Sequence, residues 1–274
     1  MTDPLDRIAA ALERLSPPPP PAADPRTHAA YLWRSAALAP ARAFAPLPLD
    51  IMIGVDRQKH ALVANLDHLA KGHAAHDVLL WGARGTGKSA LVKSAVAFVQ
   101  QGAAPTDDAS TPLALVEVFD LATLPALFAA LADIPRAFAV FIDDLGFDGP
   151  ADARILRSLL DGGAEPRPRN VRLMVTANRR HLAPRDIAEQ DSAINPRDSV
   201  DDHLALADRF GLTLGFHALD QDGYLAIVGA YAAVHGLEFA SEDAIGWATR
   251  RGSRSGRVAW QYIVHLAGEA GKAV

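Results

Sequence analysis

Gly82-Ala83-Arg84-Gly85-Thr86-Gly87-Lys88-Ser89 stands between a short apolar run, Asp77-Val78-Leu79-Leu80-Trp81, and a segment of helical spacing, Ala90-Leu91-Val92-Lys93-Ser94-Ala95-Val96. The order is strand, glycine loop, helix. Gly-x4-Gly-Lys-Ser is the pattern of a phosphate loop: glycines let backbone N–H groups turn inward around β- and γ-phosphates, and the helix N-terminus adds partial positive charge. Lys88 would reach the γ-phosphate, and the Ser89 hydroxyl would complete a Mg²⁺ site. A glycine-rich turn that happens to carry a lysine is the plainer alternative, and the flanking strand and helix count against it.

Working outward, the segments on either side alternate between strand and helix. Upstream, Pro48-Leu49-Asp50-Ile51-Met52-Ile53-Gly54-Val55-Asp56 leads into a helix from about Arg57 to Gly72, so this apolar stretch either touches a nucleobase or packs a helix start. Downstream, Leu113 to Phe119 reads as a second strand and Leu124 to Ala132 as a helix. Ala137-Phe138-Ala139-Val140-Phe141-Ile142 is a third strand, apolar on both faces as the centre of a parallel sheet requires. It ends in Asp143-Asp144. Carboxylates at the C-terminal end of such a strand lie where ligands bind in open α/β sheets. Asp143 would hold Mg²⁺, directly or through water, and Asp144 would orient an attacking water; otherwise both simply open a turn before Gly146.

A helix from Ala151 to Leu160 precedes a fourth strand, Val171 to Asn178. Asn178, polar at the tip of an apolar strand, would either bond a γ-phosphate or lytic water or cap the next segment. The charged segment from Arg179 to Asp202 reads as a partly ordered surface excursion. A short helix over Leu204 to Gly211 and a fifth strand, Leu212 to His217, complete the alternation. Asp222–His235, Ser241–Arg251 and Ser255–Gly268 are then helical, with Asp220 and Ser241 as N-caps, which predicts a small helical subdomain.

The N-terminus differs in kind. Leu5, Ile8, Leu12 and Leu15 recur at helical spacing, and Pro17 to Pro21 then form either a stiff spacer or a ligand for a proline-binding partner. Ala29-Ala30-Tyr31-Leu32-Trp33-Arg34 reads as core packing docked on the main body. The predicted organisation is therefore an N-terminal helix, spacer and docking segment over 1–46, an α/β nucleotide-binding domain over 47–219 and a helical lid over 220–274.

Composition narrows the function. The chain has 274 residues, 50% of them hydrophobic, so it can bury a substantial core. With no Cys, thiolate chemistry, disulfides and Cys-ligated zinc are excluded, and the ten His residues show no metal-ligand spacing. The net charge of −5 argues against a surface wholly given over to nucleic acid. No signal peptide or membrane-length apolar run is present, which predicts a cytoplasmic protein with no membrane partner.

The order of parts resembles an AAA+ ATPase, a P-loop NTPase in the AAA+ superfamily, and more closely a bacterial family of predicted AAA+ ATP-binding proteins named without a known function. The resemblance covers about Leu47 to Gly268. It rests on Ile53-Gly54-Val55-Asp56-Arg57-Gln58-Lys59, the phosphate-loop stretch from Leu79 to Ser89, Thr176 to Leu182, Asp208-Arg209-Phe210-Gly211, and Arg251 to Arg257. It implies an AAA+ fold with a five-stranded parallel sheet flanked by helices and a small C-terminal helical lid, binding ATP and Mg²⁺.

Residue by residue, the resemblance implies that Gly82, Ala83, Arg84, Gly85, Thr86, Gly87, Lys88 and Ser89 are Walker A, and that Asp143 and Asp144 are Walker B. Asn178 falls at sensor 1, and Ile53 and Gly54 at the adenine contact. Arg209 resembles an arginine finger serving a neighbouring subunit, and Arg257 resembles sensor 2; as plain surface ion pairs they would contribute little. The wider AAA+ pattern usually has Glu where Asp144 stands, so turnover is expected to be slow.

The leading expectation is an ATP hydrolase that forms a ring or spiral of identical subunits and remodels an unidentified protein partner. An oligomeric switch with little turnover is the second. A helicase-loader-like role on nucleic acid is the third: Arg250, Arg251, Arg254 and Arg257 make a basic side, but no base-reading module is visible. A small-molecule kinase is disfavoured, because Arg209 and the C-terminal helices suit a shared site better than an acceptor pocket.

Overall fold

The computed structural model describes residues 3, 4, 7, 22–102, 112–145, 150–162, 167–178 and 207–274. Nearly all of the expected N-terminal helix, the proline run, the loop 103–111, the segment 179–202 and the start of the short helix 204–211 lie outside the described residues. In chain order the elements are β1 (Ala30–Arg34), β2 (Ala37–Pro40), α1 (Asp56–Ala70), β3 (Val78–Gly82), α2 (Lys88–Gly102), β4 (Leu113–Val118), α3 (Leu124–Leu131), β5 (Ala137–Ile142), α4 (Pro150–Leu160), β6 (Val171–Asn178), β7 (Leu212–Phe216), α5 (Gln221–His235), α6 (Ser241–Arg250) and α7 (Gly256–Glu269).

The strands form one sheet in the order β2-β1-β4-β5-β6-β3-β7. Every neighbouring pair is parallel except β1 with β2. The α/β class therefore stands, with seven strands where the sequence predicts five. Of the two additional strands, β1 occupies the stretch read as docked packing and β2 lies just beyond it. They are joined by Ser35 and Ala36, whose φ angles are 49° and 56°. Two-residue hairpin turns with positive φ usually carry Asn-Gly or Asp-Gly, so the sequence shows no turn signal here.

β5 is buried along its whole length. Phe138, Val140 and Ile142 face the side covered by α3 and by Leu156 of α4, while Ala137, Ala139 and Phe141 face α1 and α2. Alternation with period two thus feeds both cores, which makes β5 the middle of a three-layer sandwich. Burying each of its phenylalanines contributes about 1.5–3 kcal/mol. The C-terminal ends of β3, β5 and β6 consequently converge on one edge of the sandwich, bringing Gly82, Asp143 and Asn178 together.

A third apolar cluster is built by α5, α6 and α7 around Tyr224, Val228, Ala244, Ala248, Ala259 and Ile263. Asp220 caps α5 by accepting from Gly223 N–H at 2.8 Å, as expected, and Gly236 ends it with a φ of 58°. Ser255 caps α7 through Val258 N–H. Ser241 does not cap α6. The N-cap is Ala240, with no side-chain bond, and Glu242 and Asp243 in the first turn supply the favourable charge instead. Leu47, Ile51 and Ile53 pack against this cluster, so the segment before α1 is shared between sheet and C-terminal helices. Among the described residues no helix is long and apolar enough to cross a membrane.

β3 and β7 approach each other closely where the phosphate loop leaves the sheet. A Cβ on Gly82 would lie 2.1 Å from the Phe216 carbonyl oxygen, and Gly82 has a φ of 145°. Backbone cannot retreat as a side chain can. Gly82→Ala is therefore expected to cost more than about 2 kcal/mol, read as a lower urea midpoint.

Candidate functional site

The loop from Ala83 to Gly87 is held by its own atoms and by the helix it opens. Gly85 and Gly87 have φ angles of 75° and 93°, a region that glycine enters without strain. Thr86 Oγ1 donates to Ala83 O at 2.9 Å, closing the turn. Lys88, the first residue of α2, folds back into the loop. Its Nζ donates to Gly82 O at 2.9 Å and Ala83 O at 2.8 Å, and the residue is only 7% exposed. Burial pushes its pKa below the usual lysine value, while attraction from Asp144 and Asp143 opposes that shift.

Opposite the loop, the acidic pair is positioned by β6. Ser89 Oγ donates to Asp143 Oδ1 at 2.5 Å, and Thr176 Oγ1 donates to the same oxygen at 2.7 Å. Thr176 Oγ1 in turn accepts from Asp144 N–H at 2.8 Å. Asn178 Nδ2 donates to Asp144 Oδ1 at 2.5 Å, and Arg84 Nη2 stands 3.6 Å from Asp144 Oδ2. Asp144 itself has a φ of 48°, an uncommon conformation for a residue with a side chain. The Asp144 N–H to Thr176 bond and the Leu145 N–H to Thr176 O bond of 2.8 Å fix that turn.

Thr176 opens one of the stretches that carry the resemblance, but the sequence assigns it no role at the site. Strand alternation contains the signal, since Thr176 is two residues before Asn178 and so lies on the same face of β6. It is 1% exposed. Ser89 and Asp143 together present hard oxygen donors at one point, a chemistry that fits Mg²⁺. No group of three or more His, Cys, Asp or Glu suited to a metal occurs among the described residues, so the remaining ligands would come from water and phosphate.

Beside the loop lies a cavity of about 260 Å³. Met52, Ile53 and Val55 form one wall, Ile227, Tyr231 and Trp260 another, and Gly85 to Ala90 the floor. Arg257 lines it as well. α7 reaches the loop directly: Gly256 N–H donates to Gly85 O at 3.0 Å, and a Cβ on Gly85 would lie 2.9 Å from Ser255. Ala83 and Arg84 line a second cleft of about 450 Å³, shared with Arg254 and Ser253.

The structure thus brings Lys88, Ser89, Asp143, Asp144 and Asn178 together, with Ile53 and Arg257 on the adjoining cavity. Gly54 does not line that cavity; its φ of 78° turns the chain into α1. Arg209 lines neither cleft. Its Nε donates to Asp161 Oδ1 at 2.6 Å, just beyond the end of α4.

A family described as "Protein of unknown function (DUF815)" matches residues 26–270. The chain belongs to this family. No curated protein matches it. Among solved structures, this DUF815 chain is similar to Thermotoga maritima RuvB, titled a Holliday junction branch migration motor, at 18% identity over 84% of this chain and 68% of that one, with a TM-score of 0.53. A threonine-to-valine variant of the same protein is 19% identical over the same shares, with a TM-score of 0.54. At that identity the likeness concerns fold alone, a mostly parallel α/β sheet flanked by helices.

Thr176→Val tests the β6 network in the DUF815 fold without changing side-chain shape. It leaves Asp144 N–H without its acceptor and takes one donor from Asp143, so stability should fall by about 1–3 kcal/mol, with an unchanged m-value in urea unfolding.

Proposed function

We propose that the protein binds ATP with Mg²⁺ in the cavity beside the phosphate loop and hydrolyses it at a site completed by a second copy of the chain. The observation that carries this reading is the linked set Ser89–Asp143–Thr176–Asp144–Asn178 against the phosphate loop, with Ser89 lining the same cavity as Arg257 of α7. In this reading residues 47–219 form the nucleotide-binding domain, 220–274 the lid and 1–46 an N-terminal extension whose β1 and β2 join the edge of the same sheet.

Each residue then has a task suited to its chemistry. Lys88 exchanges the Gly82 and Ala83 carbonyls for β- and γ-phosphate oxygens, a favourable trade for a partly desolvated cation. The Ser89 hydroxyl and Asp143 carboxylate hold Mg²⁺, which when bound neutralises phosphate charge. Asp144 accepts a hydrogen bond from the attacking water and orients it. Asn178, now bonded to Asp144, holds that carboxylate in line. Arg257 on α7 reaches the phosphates from the lid side. Arg209, which lines neither cleft of its own chain, serves the site of a neighbour, and a ring or spiral of copies results. The hydrolysis cycle then moves an unidentified partner in the cytoplasm.

One observation favours a second reading, an ATP-dependent oligomeric switch with little turnover. Both Asp144 oxygens already face protein cations or donors, Oδ1 to Asn178 and Oδ2 to Arg84, and the side chain is a methylene shorter than Glu. Asp144→Glu is expected to raise turnover if this limits the reaction.

Steady-state ATP hydrolysis against protein concentration tests the proposal. Specific activity should rise as subunits associate, Lys88→Ala should abolish it, and Arg209→Ala should lower it about 10³-fold or more. Mixing those two variants should restore part of the activity, because one supplies an intact loop and the other an intact arginine. A specific activity independent of concentration, with Arg209→Ala fully active, would overturn the shared site.

A further inference from the structure

Six side chains carrying a nitrogen or oxygen line the cavity beside the phosphate loop: Thr86, Lys88, Ser89, Tyr231, Arg257 and Trp260. Thr86, Lys88 and Ser89 are bonded to protein groups. Tyr231, Trp260 and Arg257 make no hydrogen bond or ion pair among the described residues, and all three come from α5 and α7. They differ in character. Arg257 is a cation next to the loop and suits phosphate. Tyr231 and Trp260 are aromatic rings, each with one polar atom, and suit a flat heterocycle.

Tyr231 is buried, with 8% of its surface exposed, yet its hydroxyl is not among the enclosed polar atoms that lack partners. The ring is therefore packed in protein while the oxygen keeps contact with open space. Its ring meets Trp260 edge-on at 5.4 Å between centroids, and the His235 ring stands 5.5 Å from Trp260. Trp260 is thus held by aromatic neighbours. Met52 and Ile53 supply an apolar wall to the same cavity, and the Met52 methyl would lie 3.4 Å from a Cβ on Gly87. An apolar enclosure with few convergent polar groups is what a nucleobase requires, because stacking surface supplies affinity and a single hydroxyl can pair with a ring-edge group.

We propose that Tyr231 and Trp260 form the base-reading wall of this cavity, Trp260 as the flat flank and the Tyr231 hydroxyl as the hydrogen-bonding group at the edge of the base. This role rests on the nucleotide-binding reading above and adds two specificity residues to it. Burial pushes the Tyr231 pKa above the usual tyrosine value, so the hydroxyl keeps its proton and can either donate or accept at neutral pH. Both residues lie on α5 and α7, and α7 also carries Arg257, so one bound nucleotide would engage α5 through its base and α7 through base and phosphate together.

Calorimetric titration of the full chain with MgATP and, separately, with inorganic tripolyphosphate tests this. Tripolyphosphate keeps the charge and lacks the base. Tyr231→Phe retains the ring packed on Trp260 and should weaken MgATP about 3- to 10-fold, the worth of one neutral hydrogen bond, with tripolyphosphate affinity unchanged. Trp260→Leu should likewise weaken MgATP alone. Arg257→Ala should weaken both. If Tyr231→Phe binds MgATP as the wild type does, or loses tripolyphosphate by the same factor, the base-reading role is overturned while nucleotide binding stands. A wild-type chain that binds neither probe overturns the nucleotide reading, and the base-reading wall with it.

Discussion

The architecture turns on one steric constraint, the contact between the end of β3 and the Phe216 carbonyl of β7. That oxygen occupies the space where any residue but glycine would put a Cβ at position 82. β3 is paired on its other side with β6, so Gly82 sits opposite Asn178 and Phe216 at once. The chain therefore leaves β3 at a glycine and enters the loop that ends at α2, where Lys88 folds back on the Gly82 and Ala83 carbonyls and Ser89 meets Asp143.

Polar groups at this edge of the sheet are satisfied largely by one another. Lys88 uses loop carbonyls, Ser89 and Thr176 share Asp143 Oδ1, and Asn178 and Arg84 face Asp144. Thr176 and Lys88 are buried, and leaving either unpaired would cost about 1–3 kcal/mol or more, whereas the exposed Asp143, Asp144 and Arg84 could pair with water instead. The pairing also keeps them exchangeable. The Lys88 contacts are to neutral carbonyls, which phosphate oxygens outcompete, whereas the Thr176 contacts tie two strands and serve as scaffold.

The C-terminal helices are joined to this edge at two points. Gly256 N–H bonds the Gly85 carbonyl within the loop itself, and Leu47, Ile51 and Ile53 insert the segment before α1 into the cluster of α5 and α7. The loop and α7 are thus bonded directly, and α5 packs on the segment that precedes α1. One cavity results, walled by residues far apart in the chain.

Much of this is legible in the sequence because its causes are local. Gly-x4-Gly-Lys-Ser specifies loop geometry and helix start, unbroken apolar runs mark strands buried on both faces, and Asp143-Asp144 marks the end of β5. The hairpin of β1 and β2 escapes notice, because Ser35-Ala36 carries no glycine or asparagine to announce its turn. Ser241 is displaced as a cap by Ala240, since extended backbone there suffices when acidic residues come next. Thr176, Tyr231 and Trp260 belong to another kind. Their surroundings come from strand pairing and helix packing, and residues brought together by folding share no spacing that a linear pattern could contain. The sequence by itself determined the loop, five of the seven strands and the acidic pair; only tertiary contact decided what clamps that pair and what walls the cavity, because both depend on how strands and helices pack together.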